Sequence, residues 1–324
     1  MEQTVNLDAA TLEELVSAAV AAPSMHNTQP WRFRLDPDSV TIELHAAIER
    51  SLPYEDPHGR ALHLSAGAAV FNLQLAVAHF GWLPVTRTLP EPGTPGLLAT
   101  VRLVEAGRGA NSRRGDLYES IWRRHSSRLP FTDTDIARSV RQELIEAAHA
   151  EGCRLVFAEP PLVERLLVVT AKAELRNRRD ADRATESRRW TGHGRDVGLS
   201  TAVLGPQDSF ERLPMRDFGA HRHPEELASD AFERAPVIAL LSTAHDRRAD
   251  WLRAGQALQH VLLVATAHHL RTSLMHQALE WIDLRRELVV GHAPFSHAQM
   301  LVRLGHGPPG APSERRTARH LLVD

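Results

Sequence analysis

"LSAGAAVFNLQLAVAHFGW", residues 64–82, has a counterpart in the same chain, "LRAGQALQHVLLVATAHHL", residues 252–270. Aligned without gaps, Leu64/Leu252, Ala66/Ala254, Gly67/Gly255, Ala69/Ala257 and Leu75/Leu263 match. Both stretches read as long buried helices. Downstream, "TVRLVEAG" at 100–107 and "LVRLGHG" at 301–307 share Val-Arg-Leu. Two core helices in an Ala- and Leu-rich protein would agree in part by composition. A matching strand at similar distance both times points instead to a duplicated α/β unit. The expected fold class is α/β (α+β): two similar halves packed as an internal pseudo-dimer, with antiparallel or mixed sheets flanked by helices.

The rest of the chain fits around these helices. "TLEELVSAAVAAP", residues 11–23, reads as an amphipathic helix, with Thr11 and Glu14 at capping-box spacing and Pro23 as its stop. Trp31-Phe33-Leu35 and Val40-Ile42-Leu44 alternate around "DPDS", predicting a β-hairpin. Strands are expected near 83–88 and 98–104. "EAGRGANSRRGD", residues 105–116, is a polar, Gly-rich linker that divides a half at 1–106 from a half at 107–324. Beyond it come a helix ending in "YESIWRRH", a helix near 135–150, a strand at 154–158 and a helix near 161–177. Residues 177–235 are polar and weakly periodic, the pattern of a lid, a functional loop or disorder. Regular structure resumes with "PVIALLST", a helix from about Trp251, a strand near 271–275, a helix near 279–288 and a strand near 299–304.

Composition narrows the function. A formal net charge of −2 gives no general pull toward nucleic acid or anionic lipid. Cys153 is the only cysteine, which excludes an intrachain disulfide or a CxxC zinc site and suits a cytoplasmic protein. The first residues lack the basic and apolar regions of a signal peptide, and no spanning helix is expected. Lys172 is the only lysine, so Schiff-base chemistry has one candidate. "GHGPPG", 305–310, matches GxGxxG in letters, but its prolines remove the donors a dinucleotide turn needs. Gly-Lys pairs and GxSxG are absent. "HRH" at 221–223 and "HH" at 268–269 lack a ligand pattern, so no metal is expected.

Three stretches carry chemistry. "APSMHNTQPW", residues 22–31, sets hydrogen-bonding side chains between two prolines, as an ornate turn or as one wall of a binding site. "RRHSSRLPF", 123–131, gathers Arg124, His125, Ser126 and Arg128 just past a helix. Guanidinium forks with a hydroxyl suit a phosphate. A solvated basic helix end explains them equally simply, and on composition alone is the better reading. "SERRTARHLL", 313–322, is by itself a charged tail.

Taken together, these stretches resemble the nitroreductase family of flavoproteins. "APSMHNTQPWRF" is similar to that family's Pro-Ser-x-x-Asn-x-Gln-Pro-Trp segment, "RRHSSR" to its Arg-His-Ser-x-Arg/Lys segment, and "ERRTARHLL" to its C-terminal Pro-Arg-Arg/Lys-Pro ending. Their order is inverted relative to an ordinary member. It resembles the Acg-type tandem members, with two nitroreductase-like halves in one chain. The resemblance implies FMN between the halves. Arg124, His125, Ser126, Arg128, Arg315 and Arg316 would face its phosphate, ribityl or pyrimidine oxygens, and Ser24, Met25 and Asn27 would line it from the other side. "TSLMHQALE" resembles the stretch near flavin N5, assigning that contact to Leu274, His276 and Gln277; Leu274 stands where proline is usual and His269 where glycine is usual. The C-terminal ending has Glu314 and Thr317 in place of both prolines.

The implied activity is reduction of nitro compounds, quinones or similar small oxidants with NAD(P)H. Alternatives are an FMN-sequestering protein with little turnover, its flavin beneath a lid at 177–235, and a structural pseudo-dimer with a decayed site. The flavin performs the chemistry, so no catalytic acid or base is assigned. One flavin per chain is expected, with a monomer sufficient and neither nucleic acid nor membrane as partner.

Overall fold

The computed structural model describes residues 7–105, 117–192, 196–218, 228–289 and 297–323. Nearly all of the linker at 105–116, and "HRH" at 221–223, lie outside the described residues.

Helix α1 (Ala9–Val20) is capped by Asp8, whose carboxylate accepts the Thr11 N–H at 2.8 Å. The start signal is therefore Asp8, not the Thr11–Glu14 pair: an aspartate just before the first helical residue satisfies an orphan N–H directly. Then come β1 (Trp31–Asp36), β2 (Thr41–Ala46), α2 (Arg60–His79), β3 (Trp82–Thr88) and β4 (Leu97–Glu105). All pair antiparallel in the order β1-β2-β4-β3. Trp31 and Phe33 point inward while Arg32 and Arg34 face solvent, as strand alternation requires.

The second half contributes α3 (Tyr118–Arg123), α4 (Arg138–Ala150), β5 (Arg154–Phe157), α5 (Pro160–Arg179) and α6 (Ala181–Arg189). Two-residue strands β6 (Gln207–Asp208) and β7 (Ser229–Asp230) follow, then β8 (Val237–Thr243), α7 (Arg248–Ala267) and β9 (Arg271–Met275). Helix α8 (Ile282–Glu287), β10 (His297–Gly305) and α9 (Ala318–Leu321) end the order. The sheet order is β5-β8-β10-β9, again antiparallel. Both halves run strand, strand, long helix, strand, strand, and pair them alike. The short β1–β2 turn has, between β5 and β8, an insertion spanning 158–236.

Helices α2 and α7 pack at their repeated glycines. A Cβ on Gly67 would lie 2.0 Å from the Leu252 carbonyl oxygen, and one on Gly255 would lie 2.0 Å from that of Leu64. Phe71 stacks on His260 with centroids 4.8 Å apart, and Gln259 Nε2 donates to Asn72 Oδ1 at 2.7 Å. The ungapped alignment sets Phe71 against Gln259 and Asn72 against His260, so these pairs exchange under a twofold. Such reciprocity is the mark of an isologous interface, here inside one chain. Leu64 is buried in the second half's core, and Leu252 and Leu263 in the first half's.

Helix α2 is the long buried helix expected from the sequence: it is long and apolar enough to cross a membrane by length and composition, with mean hydropathy 1.4, but 94% of that window is buried, because both halves cover it. One further expectation changes. The segment 177–235 is helical through Arg189: α5 runs on to Arg179, and the Asp180 carboxylate caps α6 by accepting the N–H groups of Asp182 and Arg183 at 3.1 Å. The glycines of "GHGPPG" serve close packing: a Cβ on Gly310 would meet the Ser126 carbonyl oxygen at 2.2 Å.

Candidate functional site

Backbone strain marks the first wall. His26, Asn27 and Gln29 all have φ near +50°, a left-handed conformation that costs roughly 1–3 kcal/mol per non-glycine residue and clusters at functional sites. Hydrogen bonds from distant segments hold it. Asn27 Nδ2 donates to the carbonyls of Gly198 and Glu314, each at 2.8 Å. Gln29 Nε2 donates to the Asp196 carbonyl at 2.7 Å, and Gln29 Oε1 accepts the Arg316 N–H at 3.0 Å. Two of the polar side chains of "SMHNTQ", Asn27 and Gln29, thus pin the loop to the 196–198 segment and the C-terminal tail. Ser24, Met25 and His26 line a cleft, whereas Trp31 is fully buried under β1.

The opposite wall is the extended segment after α3, which bridges to β9 through Ser126 and Thr272. Its residues divide between two spaces. Ser126 and Arg128 face the cleft, while Arg124 and His125 face a separate corner of about 250 Å³ with Arg315 and Arg316. In that corner Arg124 Nη2 donates to the Ala21 carbonyl at 3.3 Å, and Arg315 Nη2 to that of Ala22 at 3.4 Å. The Nε atoms of both guanidiniums are buried without a partner. Neither has a carboxylate partner among the described residues. Burial and the neighbouring Arg315 push Arg124 down to about 9, and burial pushes Arg315 down to about 10. Burial, with Arg124, Arg315 and Arg271 close by, lowers His125 as well. Cations withdrawn from water without a counter-ion are costly, so the charge in this corner would favour an anion. Arg316 is anchored beside it, with Nε 3.5 Å from Asp196 Oδ2.

The cleft's floor is Ser273 to Gln277 at the end of β9, and its cover is Leu213 to Arg216 with Phe218. Its cavity is about 70 Å³, well below the ~300–1,000 Å³ of small-molecule sites, so a ligand of that size would have to displace the cover or extend into the open mouth. His276 is held well below the usual imidazole range by burial, then by the charges of Arg216, Arg60, His26 and Arg128, and its Nδ1 has no partner. Gln277 Nε2 donates to the Pro214 carbonyl of the cover at 3.0 Å. Arg128 Nη1 donates to the Val203 carbonyl at 2.7 Å, and its guanidinium lies 5.0 Å from the Phe218 centroid.

The structure brings the predicted residues Ser24, Met25, Ser126, Arg128, Leu274, His276 and Gln277 to the cleft, and Arg124, His125, Arg315 and Arg316 to the adjoining corner. Asn27 braces the loop. Sequence reasoning passed over His26, Arg216 and Phe218. His26 Nε2 contacts Glu55, and Arg216 from the cover bridges Glu55 and Glu280, lying 2.7 Å from Glu55 Oε1. Glu55 and Arg216 are far apart in sequence and carry no motif. His26 sat in the quoted stretch at a position without a family requirement.

A family model described as the nitroreductase family matches residues 121–306. Over 329 residues the chain is 32% identical to the "Putative NAD(P)H nitroreductase Rv3131" of Mycobacterium tuberculosis (strain ATCC 25618 / H37Rv), covering 95% of this chain and 90% of that protein. It is 28% identical over 302 residues to the "Putative NAD(P)H nitroreductase acg" of the same strain, covering 92% and 89%. Among solved structures, the FMN and NADPH-dependent nitroreductase NfnB from sphigopyxis sp. strain HMH is similar with a TM-score of 0.41 at 18% identity, over 64% of this chain and 97% of that chain.

Proposed function

The chain belongs to the nitroreductase family, and from that premise we propose that it binds FMN between halves 1–106 and 107–324 and uses it to pass electrons from NAD(P)H to a small oxidant such as a quinone or nitro compound. The observation that carries this reading is the corner where buried Arg124 and half-buried Arg315 have no carboxylate partner among the described residues and keep buried, unpartnered Nε atoms. Guanidinium forks match phosphate oxygens. Arg124, His125, Arg315 and Arg316 would hold the phosphate end. Ser126, Arg128, Leu274, His276 and Gln277, with Ser24 and Met25 opposite, would enclose the ring end, and Asn27 would keep the first wall in place.

FMN, when bound, supplies hydride transfer, and the protein supplies binding, orientation and electrostatics. The two arginines neutralise the phosphate. His276, held neutral, presents a hydrogen-bonding ring without adding charge. The cover limits water. A single buried cysteine accords with a cytoplasmic setting.

The halves read as two copies of one unit, but each wall occurs once, so we expect one FMN per chain and no need for a second chain. Flavin released by acid from a known amount of protein, with light scattering, tests this. A ratio near one in a monomer supports it; a ratio near two, or no bound flavin after addition of FMN, refutes it.

A second reading, FMN held with little turnover, is favoured by the cover itself, since Arg216 ties it to both halves through Glu55 and Glu280. FMN-loaded protein that oxidises neither NADH nor NADPH with any quinone or nitro acceptor would select that reading.

A further inference from the structure

We propose that His26 is the proton-transfer group of the cleft: it exchanges a proton through Nδ1 with the oxidant bound there, while Glu55 and Arg216 hold its ring. The proposal rests on the reading that FMN and a small oxidant share the cleft.

The argument begins with the imidazole's two nitrogens. Nε2 faces a carboxylate oxygen of Glu55, and both side chains are 1% exposed. Burial alone would raise the Glu55 carboxyl, but the charges of His26 and Arg216 outweigh it and hold the group well below the usual range. Glu55 is therefore a carboxylate and only accepts, so the proton of that contact sits on Nε2. Nδ1 is then the free exchange position. It is buried, has no protein partner, and belongs to a residue lining the cleft. A carboxylate behind an imidazole fixes its orientation and tautomer and stabilises its cation, as in other histidine-based proton transfers.

The surroundings keep the ring in place. The backbone at His26 is left-handed, and Phe218 meets the ring edge-on at 5.8 Å between centroids. Glu186 accepts the N–H groups of Tyr54 and Glu55, at 3.1 and 2.8 Å, and fixes the backbone that carries the carboxylate. Arg216 contacts Glu55 on one side and Glu280 on the other, and Arg183 contacts Glu280 at 3.2 Å. Besides Arg216, the other basic groups on the cleft are His276, Arg128 and Arg303, the last paired with Glu233. Burial holds His276 neutral, and Arg128 stays protonated throughout the ordinary pH range, so neither competes as a proton donor.

The chemistry balances. Reduction of a quinone to hydroquinone takes two electrons and two protons, of which hydride from a bound reduced flavin would supply both electrons and one proton. Conversion to hydroquinone needs one more proton. The Nδ1 proton passes to the remaining quinone oxygen, the imidazole is left neutral, and solvent reprotonates it when product leaves. General acid catalysis of this kind typically contributes about 10²–10⁴-fold.

The test uses FMN-loaded protein and the variants His26→Asn and Glu55→Gln; asparagine is chosen because it tolerates left-handed backbone. Each is reduced with dithionite and mixed in a stopped-flow instrument with 1,4-benzoquinone, which requires protons, or with ferricyanide, which takes single electrons and none. Expected for His26→Asn is benzoquinone oxidation slowed about 100-fold, unchanged ferricyanide oxidation, and partial rescue by added imidazole. Equal slowing with both acceptors, or none, overturns the proposal. Two measurements stand even if the variants fail to fold. Wild-type oxidation should be slower in D₂O for benzoquinone alone, and its nuclear magnetic resonance spectrum should show an exchange-protected, downfield imidazole N–H; absence of either counts against the dyad. The resonance needs no flavin, so a protein that shows it but binds no FMN would refute the proposed function and leave the histidine–glutamate geometry standing.

Discussion

Replacing Gly67 by alanine puts one methyl group where the halves touch most closely. The added Cβ would lie 2.0 Å from the Leu252 carbonyl oxygen, where ordinary contact begins at 3.4 Å, a shortfall of about 1.4 Å. The atom in the way is helical backbone, so no rotamer can relieve it; α2 and α7 must separate. Overpacking a core costs about 1–3 kcal/mol, and a clash against backbone belongs at the upper end or beyond. Alanine returns up to about 1 kcal/mol through its better helix propensity. The net loss is about 2 kcal/mol or more, which lowers Tm by about 3 °C or more in a chain of this size. Gly255→Ala should cost a similar amount, because its Cβ meets the Leu64 carbonyl at the same distance. One separation relieves both clashes, so the double variant should cost clearly less than the two single costs added together. Thermal and urea melts of the three variants read this out. A Gly67→Ala protein as stable as wild type, or strictly additive costs, would refute the reciprocal crossing.

Other perturbations probe the site. Arg124→Met should weaken FMN binding about ten- to a hundredfold, the value of a charge-assisted contact, while leaving the flavin-free protein at least as stable, because it removes a buried cation without a carboxylate; unchanged affinity in a fluorescence titration would remove the corner from the site. Arg216→Gln should loosen the cover and speed flavin reduction by dithionite in stopped-flow traces, and equal rates would count against a latch. Glu174 is pushed up to about 7 from the usual 4.5 by burial. The unfolded chain therefore releases this proton first, so wild type should lose stability relative to Glu174→Gln as pH rises from about 4.5 to about 7, with no further change above; parallel urea melts across that range check it, and a constant difference would show that Glu174 does not titrate there.

Much of the fold is legible locally because its signals are local. The period of "TLEELVSAAV", the turn residues "DPDS" and the alternation of Trp31, Phe33 and Leu35 each report on neighbours a few residues away, and the structure puts α1, β1 and β2 there. The matching glycines Gly67 and Gly255 read further than usual, since each helix brings the same small residue to one reciprocal contact. Where competing local signals exist, the reading slips: Asp8 outdoes Thr11 as a cap, and the polar surface of α6 conceals a helix that Asp180 starts.

The site divides the same way. Sequence alone singled out "PSMHN" and "RRHSS" as unusual, because uncommon residue types crowd into short spans, while "ERR" read as a charged tail. It left the basic cluster better explained as a solvated helix end, since burial is invisible in a string. Only the tertiary structure decides that. The C-terminal tail crosses back to the first half, where the Val323 N–H donates to the Phe33 carbonyl, and thereby brings Arg315 beside Arg124 and away from carboxylates. The His26–Glu55–Arg216 arrangement is tertiary throughout: three residues from separate segments acquire their chemistry by meeting where water is excluded, and charges set by such a meeting leave no pattern in any one stretch of the chain.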